Sequence, residues 1–301
     1  MIRLYWYRNN FGDELSPYII EKLSGERVFY RKPFSIRNYL LDGLRFIKKL
    51  IFKRKVDISL LMYSPFYKVI ISIGSILEES TANTIVWGAG LGSRQINVQG
   101  GDFLAVRGPI SQQRLAELKL YVPSAIGDPA ILLPIIYPKK SHPLGTISKV
   151  GIIPHISDYN DIYERVKRVK NNDICLINLS NTNIEKTIDD IASCDCILSS
   201  SLHGLIVSHA YNIRAVHFRK NKLSGDGIKF IDYYYSVNIP NYSPIDFLDI
   251  DFGDSNKIRT LIEKLEPCSL PKIDLWKMQK SLIEAAPFNV LDIYKSKRDI
   301  S

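Results

Sequence analysis

The sequence predicts an α/β protein of two Rossmann-like parallel-sheet domains that face each other across a cleft. Three observations carry that prediction. Short β-branched runs end in glycine-containing loops that lead into helically spaced apolar positions, repeatedly along the chain. A stretch with three prolines and two lysines, residues 134–143, has the composition of an interdomain linker. The 301 residues are enough for two cores of ordinary size, and 46% hydrophobic with 24% charged residues excludes a disordered, fibrous or disulfide-stapled chain.

The elements follow in order. Ile2 to Tyr7 reads as a strand, Asn9 to Asp13 as a loop, and Glu14 to Leu23 as a helix with Leu15, Tyr18, Ile19 and Leu23 on one side. The pattern returns at Lys68 to Ile73 before Gly74, at Thr84 to Trp87 before Gly88, and at Phe103 to Val106 before Arg107 and a helix from Ser111. Beyond the linker, strands are expected at Lys149 to Ile153, Asp173 to Asn178, Cys194 to Ser199 and Ala215 to Phe218. Helices are expected at Asp158 to Val169, Ile184 to Ala192, Gly204 to Tyr211, Lys257 to Leu265 and Leu275 to Ala286. The expected domains are therefore residues 1–138 and 144–301, and a glycosyltransferase-like (GT-B-like) arrangement fits best; one large doubly wound sheet is the alternative.

The net charge of +9 has an address. Arg27, Arg31, Lys32, Arg37, Arg45, Lys48, Lys49, Lys53, Arg54 and Lys55 lie within 29 residues that hold one acid, Asp42, so the rest of the chain is neutral. So local a field points to one anionic surface rather than to nucleic acid. Within residues 40–55, Leu40, Leu44, Ile47 and Ile51 form one helical face. That face either packs on the core with a solvated basic back, or lies on the inner leaflet of a membrane. No signal-peptide core follows Met1 and no run is long enough to span a bilayer, so a cytoplasmic protein is expected, peripheral at the membrane if the second reading holds. The four cysteines read as reduced thiols, and Cys194 and Cys196 lack the second pair that a zinc site requires, so no metal is expected.

Candidate chemistry gathers at strand ends. In the first loop Gly12 lets backbone approach a ligand while Asn10 and Asp13 can bond sugar hydroxyls; Asp13 as a helix cap is the plainer alternative. Gly88 and Gly90 follow a strand but lack dinucleotide-fingerprint spacing. Arg107 ends a strand and is expected to project into the cleft toward a carboxylate or phosphate, or else to form an interdomain ion pair. Asp128 is a base or a turn residue, and His155 faces the cleft or packs on the linker. Ser199, Ser200 and Ser201, followed by Leu202, His203 and Gly204, place three hydroxyls at a helix N-terminus, an arrangement suited to an anion. An anion bound there would raise the pKa of His203 and keep it available as an acid. His209 and His217 are expected to be structural.

As an ordered set, Asn10 to Pro17, Trp87 to Gly90, Val106 to Pro109, Gly127 to Ala130, Ser199 to Gly204 and Lys229 to Tyr233 resemble the polysaccharide pyruvyl transferase family. The resemblance implies transfer of pyruvate from phosphoenolpyruvate, a co-substrate with no further cofactor, onto a surface polysaccharide or its lipid-linked precursor as a cyclic ketal. It implies His203 in proton transfer or phosphate departure, Arg107 on the donor, and Asp13 or Asp128 activating a hydroxyl. Many members carry an arginine where Ser201 stands, so either another cation such as Arg107 or Arg94 serves, or the donor differs. A nucleotide-sugar-dependent glycosyltransferase and a non-catalytic scaffold of a polysaccharide assembly are the competing readings.

Overall fold

Alternation of β-branched runs with amphipathic stretches builds two parallel sheets in the computed structural model, which describes residues 1–8, 10–52, 59–139, 149–181, 183–220 and 226–295. The first half runs β1 (Ile2–Tyr5), α1 (Phe11–Ser24), β2 (Val28–Tyr30), α2 (Ile36–Ile51), β3 (Val69–Ile71), β4 (Thr84–Trp87), β5 (Asp102–Val106), α3 (Pro109–Glu117), β6 (Ala125–Ile126) and α4 (Leu133–Ile136). The second runs β7 (Val150–Ile153), α5 (Tyr159–Val169), β8 (Ile174–Leu176), α6 (Ile184–Ala192), β9 (Cys196–Ser199), α7 (Leu202–Ala210), β10 (Arg214–Arg219), α8 (Ile228–Ser236) and β11 (Ile245–Asp246). Helices α9 (Ser255–Lys264), α10 (Leu275–Glu284) and α11 (Asp292–Lys295) follow.

Strand order is β2-β1-β3-β4-β5-β6 in one sheet and β11-β10-β9-β7-β8 in the other, every pair parallel. Read from β8, the second sheet repeats the order of the first: second strand, first, third, fourth, fifth. This is the two-sheet, GT-B-like, Rossmann-like architecture that the sequence predicts. Each sheet reverses its winding between its first and third strands, β1/β3 and β7/β9, and ligands of open α/β sheets bind outside the carboxyl ends of the strands at such a switch point. The segments after β1, β3, β7 and β9 are thus the ones to watch.

One apolar cluster runs through both halves. Leu15 and Ile19 of α1, Leu133 and Ile135 of α4, Ile188 and Ile191 of α6 and Leu205 of α7 belong to it, all essentially without solvent access. Phe11 N–H donates to the Leu179 carbonyl across the halves (3.0 Å). Chain order is not packing order, because α10 returns to the first half: Trp87 Nε1–H donates to the Leu282 carbonyl (2.9 Å) and Gln279 Nε2 to that of Ile131 (2.9 Å).

The prolines of residues 134–143 mislead in part. Pro134 stands in the first turn of α4, where its missing N–H costs nothing, and Leu133 to Ile136 are buried core rather than linker. Residues 140–148, which take in the end of that stretch and the start assigned to the second domain, lie outside the described residues. Lys53, Arg54 and Lys55 of the basic segment and Asn9 of the first loop do so as well. The basic helix itself forms, as α2, but the core-packing reading of its apolar face is overturned: none of its 16 residues is buried. Among the described residues no helix is long and apolar enough to cross a membrane.

Candidate active site

The two switch points meet at Gly12. This residue opens α1 just after β1, and a methyl group on it would stand 1.9 Å from His203 Nδ1. Glycine therefore serves here to let the His203 ring lie against the α1 backbone, contact with a ligand aside. His203 sits in the first turn of α7, just after β9. Its Nε2 lies 3.8 Å from Asp128 Oδ2, too far for a hydrogen bond, and both atoms are buried without a partner among the described residues. An unsatisfied buried polar atom costs about 1–3 kcal/mol, so two facing each other form an arrangement that a shift or an inserted hydroxyl would relieve.

Around this pair the ionisations are displaced. Burial, reinforced by Asp128 and Glu14 and opposed by Lys229, pushes the Asp13 carboxyl up to about 7. Burial pushes Asp128 up to about 6, against the stabilising Ala130 N–H and the charge of Arg107. His203 is pulled down to about 3 by burial and then by Arg107 and Lys229. So placed, the His203 imidazole is neutral at pH 7, and Asp13 and Asp128 each carry a proton part of the time; the acidic His203 expected from the sequence requires an anion beside it. Asp13 also explains Gly74, whose φ of +120° suits glycine and whose added Cβ would fall 2.9 Å from Asp13 Oδ1. Asn10, not Asp13, caps α1, accepting from Gly12 N–H at 3.2 Å, so the amide expected to meet a sugar is engaged in the fold.

Lys229 is the residue that reading strand ends missed. It lies in the first turn of α8, its field reaches Asp13, His155, His203 and His217, and it makes no ion pair among the described residues. Burial and the charge of Arg107 lower its pKa, while Asp13 opposes them. The only signal was its place in the stretch Lys229 to Tyr233, which lies on a helix that periodicity did not reveal.

Arg107 is not aimed into a cleft. Its guanidinium is wholly buried, donating to Asp232 (Nε, 3.2 Å), Ser75 Oγ (Nη1, 3.0 Å) and the Leu91 carbonyl (Nη2, 2.8 Å). Asp232, on α8, also accepts the N–H groups of Ile110 and Ser111 (both 3.0 Å) and the Ser111 hydroxyl (2.7 Å), so it caps α3 from the other half of the chain. Gly108 admits it: a Cβ there would lie 2.1 Å from the Asp232 carbonyl oxygen. Gly90 and Gly88 likewise serve packing, Gly90 against the Arg107 guanidinium and Gly88 (φ +91°) against Pro129. Arg94, the other candidate cation, pairs with Asp226 at the surface.

The serine stretch is also largely internal. Ser199 Oγ donates to Ile153 and Ser201 carbonyls and accepts Ser201 N–H, while Gly204 is where the α7 backbone must clear that hydroxyl. Ser200 Oγ accepts His155 N–H at 2.8 Å and donates to Asp158, which leaves Ser201, buried at the N-cap, as the serine whose hydroxyl makes no capping bond to the helix. His155 bonds Ser157 through Nδ1, and its pKa is lowered by burial and Lys229. His209 is structural, its Nε2–H donating to the Ala215 carbonyl while Nδ1 accepts from Tyr233. His217 stacks on Phe230 with centroids 3.9 Å apart.

Comparison with known proteins finds a family match. The family described as polysaccharide pyruvyl transferase matches residues 10–221, more than two thirds of the chain, from the loop after β1 through both switch points to the end of β10. Lys229 and Asp232 lie just beyond that span. Uncharacterized protein L143 of Acanthamoeba polyphaga mimivirus is 33% identical over 176 residues, which make up 57% of this chain and 60% of the relative. The chain thus covers less than two thirds of that relative's length. No solved structure matches.

Proposed function

The chain belongs to the polysaccharide pyruvyl transferase family, and from that premise we propose that it moves pyruvate from phosphoenolpyruvate onto two hydroxyls of a saccharide, closing a cyclic ketal. The observation that carries the reading is the buried, unpartnered pair His203 Nε2 and Asp128 Oδ2, 3.8 Å apart, with Asp13 in the same electrostatic neighbourhood. Ketal formation asks for proton traffic in both directions. The donor methylene gains a proton and becomes a methyl group, a first hydroxyl oxygen bonds to the adjoining carbon, the carbon–oxygen bond to phosphate breaks, and a second hydroxyl oxygen closes the ring. Of the two hydroxyl protons, one balances that gained by the methyl group and the other leaves with phosphate.

Groups that titrate near the working pH do this best. Asp13 and Asp128, at about 7 and about 6, hold a proton part of the time at neutrality and can both give and take. Neutral His203 accepts a hydroxyl proton and, once the donor's negative charge lies beside it, holds that proton more firmly. Lys229 takes the place assigned to Arg107 as the cation for the donor's carboxylate or phosphate, helped by Ser201 and the first-turn N–H groups of α7. Arg107 acts by its field and by holding the scaffold. No proposed step uses a cofactor beyond the co-substrate.

The test is inorganic phosphate release from phosphoenolpyruvate, with and without saccharide acceptors, followed by mass analysis of the acceptor. Acceptor-dependent release with a pyruvyl ketal on the product is expected. Release of a nucleoside diphosphate from a sugar nucleotide, with phosphoenolpyruvate inert across acceptors, would overturn the reading in favour of glycosyl transfer.

A further inference from the structure

Helix α2 faces the wrong way for a soluble surface helix. Ile36, Leu40, Leu44, Ile47, Leu50 and Ile51 share one side by helical spacing, and each is more than half exposed, from 52% for Ile47 to 69% for Ile36 and Ile51. The polar side turns inward instead: Asp42 is bonded to Lys32 (2.9 Å), Arg45 (3.0 Å) and the Tyr63 hydroxyl (3.0 Å), and with Asn38 it lines a cavity of about 280 Å³ between the helix and the carboxyl edge of the first sheet. Among the described residues, α2 is the α-helix that buries none of its own side chains; α5 and α9, of comparable amphipathicity, bury Ile162 and Ile258 with Ile262. Such an apolar stripe is costly in water and marks a surface that something covers.

The charge says what covers it. Arg37 and Lys48 border the stripe by helical spacing, while the one acid of the helix, Asp42, is turned to the other side and paired with Lys32 and Arg45. A second copy of the same face would bring four such cations together without an acid of the helix between them, whereas a surface that is both apolar within and negative at its rim satisfies both features. We propose that α2 is an interfacial helix that lays this stripe into an anionic lipid surface, which would place the cavity beneath it, and the carboxyl edge of the first sheet, next to the bilayer. This docking does not depend on the reaction assigned above.

Co-sedimentation of the full chain with vesicles tests it. The protein should bind phosphatidylcholine vesicles that contain phosphatidylserine and ignore phosphatidylcholine alone. Replacing Leu44→Ser together with Ile47→Ser, both exposed and thus tolerable to the fold, should weaken binding at least tenfold at unchanged melting temperature. Arg37→Gln with Lys48→Gln should weaken it roughly fivefold per charge at low salt, and less as salt screens the field. Three results would overturn the proposal: no binding to anionic vesicles at low salt, binding that the serine pair leaves intact, or a dimer in solution that the serine pair dissociates, which would make α2 a contact between copies.

Discussion

Arg107 and Lys229 are both cations held largely inside the molecule, close enough to depress the same histidine, yet their surroundings obey opposite rules. Each nitrogen of the Arg107 guanidinium donates to an acceptor, and its partner Asp232 is itself satisfied by two backbone N–H groups and a hydroxyl. Around Lys229, burial drives the Asp13 carboxyl toward protonation against the lysine's own field, and beside them His203 Nε2 and Asp128 Oδ2 face each other unbonded. A completed buried network rigidifies, while an incomplete one holds free energy that a ligand can release. Satisfaction of hydrogen bonds, more than residue type, separates the scaffold from the site here.

Four measurements test that contrast. Arg107→Ala should have the largest effect, a loss of about 3–5 kcal/mol of stability, because it leaves Asp232 charged and buried. Thermal unfolding of this variant and of Arg107→Met with Asp232→Asn would show it: the double change should cost less than the sum of the singles. Additive costs would mean that the two residues do not act as a pair.

His203→Ala should instead lower turnover by on the order of 10²–10⁴-fold with little loss of stability, since it removes an unsatisfied polar atom. Gly12→Ala should follow it in turnover, because the added methyl group displaces the ring. If either change mainly lowers the melting temperature, His203 belongs with the scaffold.

The third measurement uses pH. An acid whose pKa rises from 3.8 to about 7 on folding binds its proton more tightly in the folded state, so stability falls as pH rises from about 4 and levels off above about 7. Asp13→Asn should therefore be gained stability at pH 8 and near-neutral substitution at pH 4, read from unfolding curves across that window. A difference between variant and wild type that does not change with pH would remove Asp13 from the perturbed cluster.

The smallest effect concerns the exposed Lys22–Glu185 pair, which also joins the halves, at 3.2 Å. Lys22→Ala should cost about 0.2–1 kcal/mol, near the limit of a denaturant titration. A loss comparable to that of Arg107→Ala would show that proximity between the halves, rather than burial and satisfaction, sets the worth of a pair.

Local pattern determined much of this protein. Alternating strands and helices, the loops at strand ends, and the ordered pieces from Asn10 to Gly204 that mark the family are all legible over a few residues at a time, because side-chain periodicity and glycine's backbone freedom act locally. The amphipathic face of α2 was legible in the same way, but not its direction, since periodicity says which residues share a side and not what that side meets. Tertiary structure decided the rest. Strand order, which brings the loop after β1 to the loop after β9, depends on pairings far apart in sequence. Asp232 reaches Arg107 from 125 residues away and turns an apparent ligand-binding arginine into scaffold. Lys229 sits on a helix whose aromatic run, Tyr233 to Tyr235, hides its period. Burial and charge neighbours set the ionisation of Asp13, Asp128 and His203, and both are properties of distance in space, which a one-dimensional pattern does not hold.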